Sequence, residues 1–208
     1  MKPELDHLAY VSPDLERGMD AIEELLGARP QYGGQHPGLG THNALLALGN
    51  DVYLEVIAPD PDQPKPARAR PFGLDAVKQP RLATWIARTS DLPGLVASAR
   101  TSGYEPGEIV SLSRKRPDGT DLRWKMAIRD DTPGDGLAPA LIDWGETPHP
   151  SDDLASGGTF AGLRGEHPQP DDIRAILRAL QLGLEVNAGP APRLIASIDT
   201  ERGRVELR

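Results

Sequence analysis

Glu55 is the residue whose chemistry most needs explaining. It stands between Leu54 and Val56 in an otherwise apolar, strand-forming run, Val52–Ala58. A carboxylate there must face water, meet a cation or have its pKa raised by burial. These outcomes correspond to a solvated edge, a structural ion pair and a working site. A second charged set lies later in the chain. On the run Asp121–Ile128, alternation groups Leu122, Trp124, Met126 and Ile128 on one face, most economically the one beneath helices. Arg123 and Lys125 then project to the other face, as does Asp143 from its own strand. Cations turned toward a ligand suit a carboxylate or phosphate; the plainer readings are an Arg123–Asp143 pair, or cations solvated at a sheet edge. His7 lies in Leu5–Val11 (LDHLAYV), where alternation puts Leu5, His7, Ala9 and Val11 on one face and Asp6, Leu8 and Tyr10 on the other.

The remaining histidines carry weaker signals. His36, in a Gly/Pro loop, and His149, between prolines, are expected to be exposed, and Gly33-Gly34 reads as a turn. His42 is a spare imidazole next to Asn43 on a neighbouring strand. His167 is expected to fix a strand-to-helix turn. Trp85 and Trp144 read as core. The chain has no phosphate-binding loop, dinucleotide fingerprint or nucleophile elbow.

Composition narrows the function classes. In 208 residues, 23 basic against 31 acidic side chains give a net charge of −8, which argues against a general nucleic-acid surface. The absence of cysteine removes disulfides and thiolate zinc sites and fits a reducing cytosol. The first ten residues lack the apolar segment of a signal peptide and no run is long enough to span a bilayer, so a cytoplasmic protein without membrane contact is expected.

The elements that must position these residues repeat. Leu5–Val11 is followed by a helix from Pro13, capped by Ser12 and closed by Gly27, then by a short irregular strand and the strands Thr41–Leu48 and Val52–Ala58. A stretch with six prolines, 59–80, reads as a linker with at most one helical turn near Leu74–Val77. Placing Leu5 on Leu82 then sets Ser12 on Thr89, Asp14 on Asp91 and Leu15 on Leu92, and the strands Ile109–Lys115, Asp121–Ile128 and Ala138–Trp144 follow. The order is strand, helix and three strands, twice. A shorter third copy begins near Leu163, with a helix Asp171–Leu182 closed by Gly183 and a hairpin around Arg202-Gly203. The expected division is 1–58, a linker 59–80, 81–145, and 146–208.

This order resembles the glyoxalase-like branch of the vicinal oxygen chelate superfamily. The likeness rests on LDHL with SPDL after it, on GTHNALLALG followed by YLEVIAPDP, on ALIDW and on EHPQP. It implies an α+β fold in which paired βαβββ modules with curved mixed sheets enclose a cavity, the third copy being an addition. It also implies a divalent metal, carried by one residue on the first strand and one acid on the fourth strand of each module. Transferred residue by residue, His7 takes the first imidazole position, Glu55 the first acid position and Asp143 the second acid position, while Thr84 stands where a second imidazole or amide is expected.

Imidazole plus carboxylate suits Mn, Fe, Ni, Zn or Mg. The same groups could instead serve a metal-free pocket or form a structural pair. The functional expectation is a protein binding a small, anionic, oxygen-rich molecule between the modules, either as a metal-assisted lyase, isomerase or dioxygenase or as a non-catalytic sequestering protein. Glu55 and Asp143 are the candidate catalytic residues; Arg123, Lys125, His42 and Asn43 the candidate substrate contacts; His7, Glu55 and Asp143 the candidate ligands. Thr84 and the short Asp143 argue against glyoxalase I activity itself. A homodimer is one expected state of assembly.

Overall fold

Period-two alternation recurs along most of the chain, and the strands form where it does. The computed structural model describes residues 2–208. The first module comprises β1 (Glu4–Val11), α1 (Leu15–Leu26), β2 (Gln31–His36), β3 (Thr41–Ala47) and β4 (Tyr53–Pro59). The second comprises β5 (Arg81–Arg88), α2 (Leu92–Thr101), β6 (Glu108–Lys115), β7 (Asp121–Ile128) and β8 (Ala140–Asp143). Between them, the proline-rich stretch carries a 3-10 turn at Pro71–Ala76. Helix α1 starts two residues later than the sequence suggests: Asp14, not Ser12, accepts the Arg17 N–H, and Gly27 closes it at φ 79°.

The eight strands close into one barrel in the order β1-β4-β3-β2-β6-β7-β8-β5. The two seams between modules differ greatly. Strands β1 and β5 pair antiparallel from Glu4↔Arg88 to Val11↔Arg81, whereas β2 and β6 pair only at Gln35↔Lys115. The helices cover the outside, so Leu8, Leu46, Leu54 and Val56 pack outward against Leu15, Met19 and Ile22. Burying each such side chain contributes about 1.5–3 kcal/mol. The inward residues form smaller clusters, one of them Ala9, Ile86, Leu122, Trp124, Met126 and Ile142.

The β7 face expected beneath helices is therefore the barrel interior. Alternation separates two faces without saying which is inside, and here α2 covers only the far end of β7, at Ala127.

The third copy forms a separate four-stranded sheet, ordered β10-β9-β11-β12. It contains β9 (Thr159–His167), α3 (Pro170–Ala179), β10 (Glu185–Ala188), β11 (Arg193–Thr200) and β12 (Gly203–Leu207). Strand β10 lies outside the sequence expectation, and α3 ends at Ala179 rather than Leu182, with Gln181 turning the chain at φ 58°. His167 Nδ1 accepts the Gln169 N–H at the strand-to-helix turn.

Candidate functional site

Inward residues of both modules line one pocket, and its polar groups lie on β1–β4 and β6. His7, His36, Asn43, Tyr53, Glu55 and Arg114 form this corner, while Leu112, Trp124, Met126, Ile128, Ile142 and Trp144 form an apolar wall opposite. The void is narrow and amounts to about 520 Å³ including its open mouth, so the space suits a small ligand. Leu39, Pro71, Leu112 and Ile128 are shared with a depression bordered by Pro66–Ala69 and Arg129–Asp130, which places the mouth beside the proline-rich stretch.

His7 and Glu55 converge as their strand phases require. Strands β1 and β4 are parallel neighbours, with Ala9 opposite Glu55, and His7 Nε2 lies 3.7 Å from Glu55 Oε2. The other carboxylate oxygen, Oε1, accepts from Asn43 Nδ2 at 2.6 Å. Tyr53 stacks on the His7 ring with centroids 4.4 Å apart, fixing its plane.

Asp6 turns inward as well, contrary to strict alternation. The β1/β5 register slips between Leu5 and His7, leaving Asp6 as the extra residue of a bulge. A bulge re-aims a side chain toward the face of its neighbour. Asp6 is fully buried and within hydrogen-bond reach of His7 Nδ1 (2.5 Å), Trp144 Nε1 (3.0 Å) and His149 Nε2 (3.0 Å). Burial alone would raise its pKa, but the hydrogen bonds from His149 and His7 outweigh it and hold the carboxyl far below the ordinary value.

The hydrogen bonds fix the proton positions. With Asp6 ionised, His7 donates from Nδ1, and its Nε2 faces Glu55 and the cavity. Asn43 spends its amide on Glu55 and on His36 Nε2 (3.3 Å), so His36 donates from Nδ1 to Thr41 Oγ1 (2.9 Å). Burial pushes the His36 pKa down to about 4, keeping it neutral at neutral pH. Burial likewise raises Tyr53 well above the ordinary range, so its phenol keeps its proton.

Arg114 was not singled out in the sequence, although it continues the inward phase of Val110 and Leu112. It is 3% exposed and donates to Asn43 Oδ1 at 3.2 Å; among the described residues no carboxylate lies within ion-pair distance of it. Desolvation lowers its pKa. Gly33 makes room for it. The β2/β3 register slips at this glycine, and a Cβ here would overlap Arg114 Nη1 and Asn43 Oδ1, so Gly33-Gly34 is a strand bulge rather than a turn.

Several expected site residues lie elsewhere. Arg123, Lys125 and Asp143 face outward and line an open depression on the barrel's outer side. Arg123 reaches Asp121 at 3.9 Å, and Asp143 accepts the Gly145 N–H. His42 points away from the pocket, 3.9 Å from Asp60, while Asn43 points in. His36 and His149, expected in solvent, are drawn inward by Thr41 and Asn43 and by Asp6 respectively. Trp85 is core, its Nε1 donating to Leu137 O, but Trp144 is pocket wall.

The donor set does not fit a resident metal. Among the described residues only His7 Nε2 and Glu55 Oε2 are left unengaged toward a common point, Glu55 Oε1 and His36 Nε2 are engaged by Asn43, and the Arg114 cation stands behind that amide. Among the described residues no three His, Cys, Asp or Glu side chains are grouped to hold an ion. Nor, among them, is any helix long and apolar enough to cross a membrane.

Among known proteins, the model of a family described as "glyoxalase-like domain" matches residues 5–181. A hypothetical protein from Staphylococcus aureus superposes with a TM-score of 0.69 at 13% identity, covering 98% of each chain, so the barrel with its added sheet is a shared arrangement. Methylmalonyl-CoA epimerase from Mycobacterium tuberculosis gives 0.43 at 19% identity, over 67% of this chain and 86% of its own. A single-site variant of the Streptomyces coelicolor methylmalonyl-CoA epimerase, in complex with 2-nitronate-propionyl-CoA, gives 0.44 at 16%, over 71% and 98%. No curated protein sequence matches the chain.

Proposed function

The chain belongs to the glyoxalase-like domain family of the vicinal oxygen chelate superfamily, and from that premise we propose that its barrel pocket is a metal-independent acid–base site acting on a small molecule, in the isomerase or lyase class. The observation that carries this reading is the Asp6–His7–Glu55 row, with the imidazole Nε2 aimed into the cavity and an ionised, buried carboxylate behind it. His7 Nε2 takes a proton from the substrate, such as one on a carbon next to a carbonyl. Asp6 holds the ring's tautomer and stabilises the imidazolium that results. Glu55, fixed by Asn43, lies close enough to His7 Nε2 to stabilise the transferred proton or return it. The apolar wall excludes water, which strengthens these interactions.

The test is solvent exchange. Small 2-oxo and 3-oxo acids, esters and ketones are incubated with the protein in D2O and the loss of α-proton signal is followed by 1H NMR. Catalysed exchange of at least one compound is expected, with a drop of about 100-fold or more in His7→Ala and no change after EDTA treatment. Exchange that is absent throughout, or that needs added metal, overturns the reading. The apolar majority of the lining also suits a non-catalytic binding protein, which would show binding without exchange.

A further inference from the structure

Resting on the acid–base reading of this pocket, we infer that its ligand is an apolar-bodied monocarboxylate whose carboxylate seats on Arg114. Arg114 is the only arginine buried among the described residues, and its only hydrogen-bond acceptor there is Asn43 Oδ1. A guanidinium carries five N–H donors, so most of its capacity is unspent. Burying a cation without a partner is costly, and a planar carboxylate meets the guanidinium fork with two parallel hydrogen bonds.

A second observation points the same way. Trp124 Nε1 is buried without a hydrogen-bond partner, and Trp124 lines the same pocket from the strand next to that of Arg114. Two under-used buried donors on adjacent strands are what an acceptor-rich ligand group requires.

The rest of the lining sets the body of the ligand. Leu112, Met126, Ile128, Ile142 and the Trp rings offer apolar surface and no further cation, so the ligand carries its charge at one end only. The charge is single because Glu55 and the ionised Asp6 already place negative charge in the polar corner, where a phosphate dianion would be repelled. The mouth beside the proline-rich stretch gives the body its way out.

The experiment titrates the full chain with four probes, read by calorimetry and by the fluorescence of Trp124 and Trp144. Phenylacetate is expected to bind. Acetate, lacking the body, 2-phenylethanol, lacking the charge, and phenyl phosphate, carrying a second charge, are each expected to bind at least tenfold more weakly. Arg114→Gln should weaken phenylacetate at least tenfold and leave 2-phenylethanol unchanged, with Arg114→Lys intermediate; circular dichroism and thermal melts identify any variant that fails to fold. If Arg114→Gln does not fold, Trp124→Phe, which removes the orphan donor together with part of the apolar wall, should weaken phenylacetate at least tenfold more than it weakens 2-phenylethanol. Equal affinity for phenylacetate and 2-phenylethanol, phenyl phosphate binding as tightly as phenylacetate, or indifference to both substitutions overturns the assignment. The two readings fail separately: phenylacetate binding that depends on Arg114 without catalysed exchange of any compound would sink the acid–base reading alone, and exchange confined to neutral ketones would sink the carboxylate subsite alone.

Discussion

His149 Nε2 stands 3.0 Å from Asp6 Oδ2, although 143 positions separate the two residues. The loop after the second module thus reaches back to the first strand and holds the carboxylate that orients His7. His149 donates from Nε2 because its Nδ1 is engaged by Ser151, so both faces of Asp6 receive N–H groups.

Asp6→Asn should separate positioning from binding. An amide can present its NH2 to His7 Nδ1 and reverse the tautomer, so the exchange rate is expected to fall about 100-fold while phenylacetate affinity stays within about threefold. The buried donors left unpaired cost about 1–3 kcal/mol in urea unfolding. Equal loss of affinity and exchange would mean that Asp6 shapes the pocket instead.

The same carboxyl sets an acid limb on stability. Its folded pKa lies below the ordinary 3.8, so the unfolded chain takes up the proton first as pH falls, and the stabilisation present above 3.8 drains away below it. Wild-type protein should lose stability in that range more steeply than Asp6→Asn, as read from unfolding free energies across pH.

His36 acts in a different window. The unfolded imidazole protonates near 6.5 and the folded one near 4, so between those values the unfolded state binds more protons and stability falls as the solution is acidified. The expected loss is about 3 kcal/mol across the interval. A His36→Gln variant should show a shallower slope there, whatever its absolute stability; an unchanged slope would place the titration elsewhere.

Gly33 and Gly34 should respond unequally to alanine. At Gly33 the new methyl group meets the ends of the Arg114 and Asn43 side chains, which can swing aside, and comes within 3.2 Å of Leu45 Cγ, so stability should change by about 1 kcal/mol or less while phenylacetate binding weakens. Gly34 has φ 138° and its Cβ would meet the Lys115 carbonyl, at the narrow β2/β6 seam. Gly34→Ala should cost about 2 kcal/mol or more. Thermal melts beside ligand titrations distinguish the two.

Arg123→Ala and Asp143→Ala should leave both exchange and phenylacetate affinity unchanged. Both side chains face outward, so stability should stay within about 0.5 kcal/mol. A marked loss of exchange in either would move the site to the outer depression.

The scaffold was readable in the chain because its signals are local. Alternation, Asp14 and Gly27 around α1, and the repeat of Leu5–Leu15 at Leu82–Leu92 depend on neighbours within one or two turns. His7 and Glu55 were readable for a related reason: each breaks an apolar phase, and parallel pairing of their strands brings equal phases together. Arg114 carried the same signal in its phase with Val110 and Leu112 but stood at a strand end crowded with other cations. Arg123 and Lys125 were misplaced because alternation is symmetric between the two faces of a strand.

The sequence by itself determined which side chains travel together along each strand, since periodicity settles phase, and the family resemblance implied that His7 and Glu55 would share an inner face. Tertiary structure decided what surrounds them. A single extra residue in β1 swings Asp6 inward, a glycine bulge in β2 admits Arg114, and barrel closure turns Arg123 and Asp143 out. These depend on which strand lies beside which and in what register, and register is fixed by contacts between residues far apart in the chain.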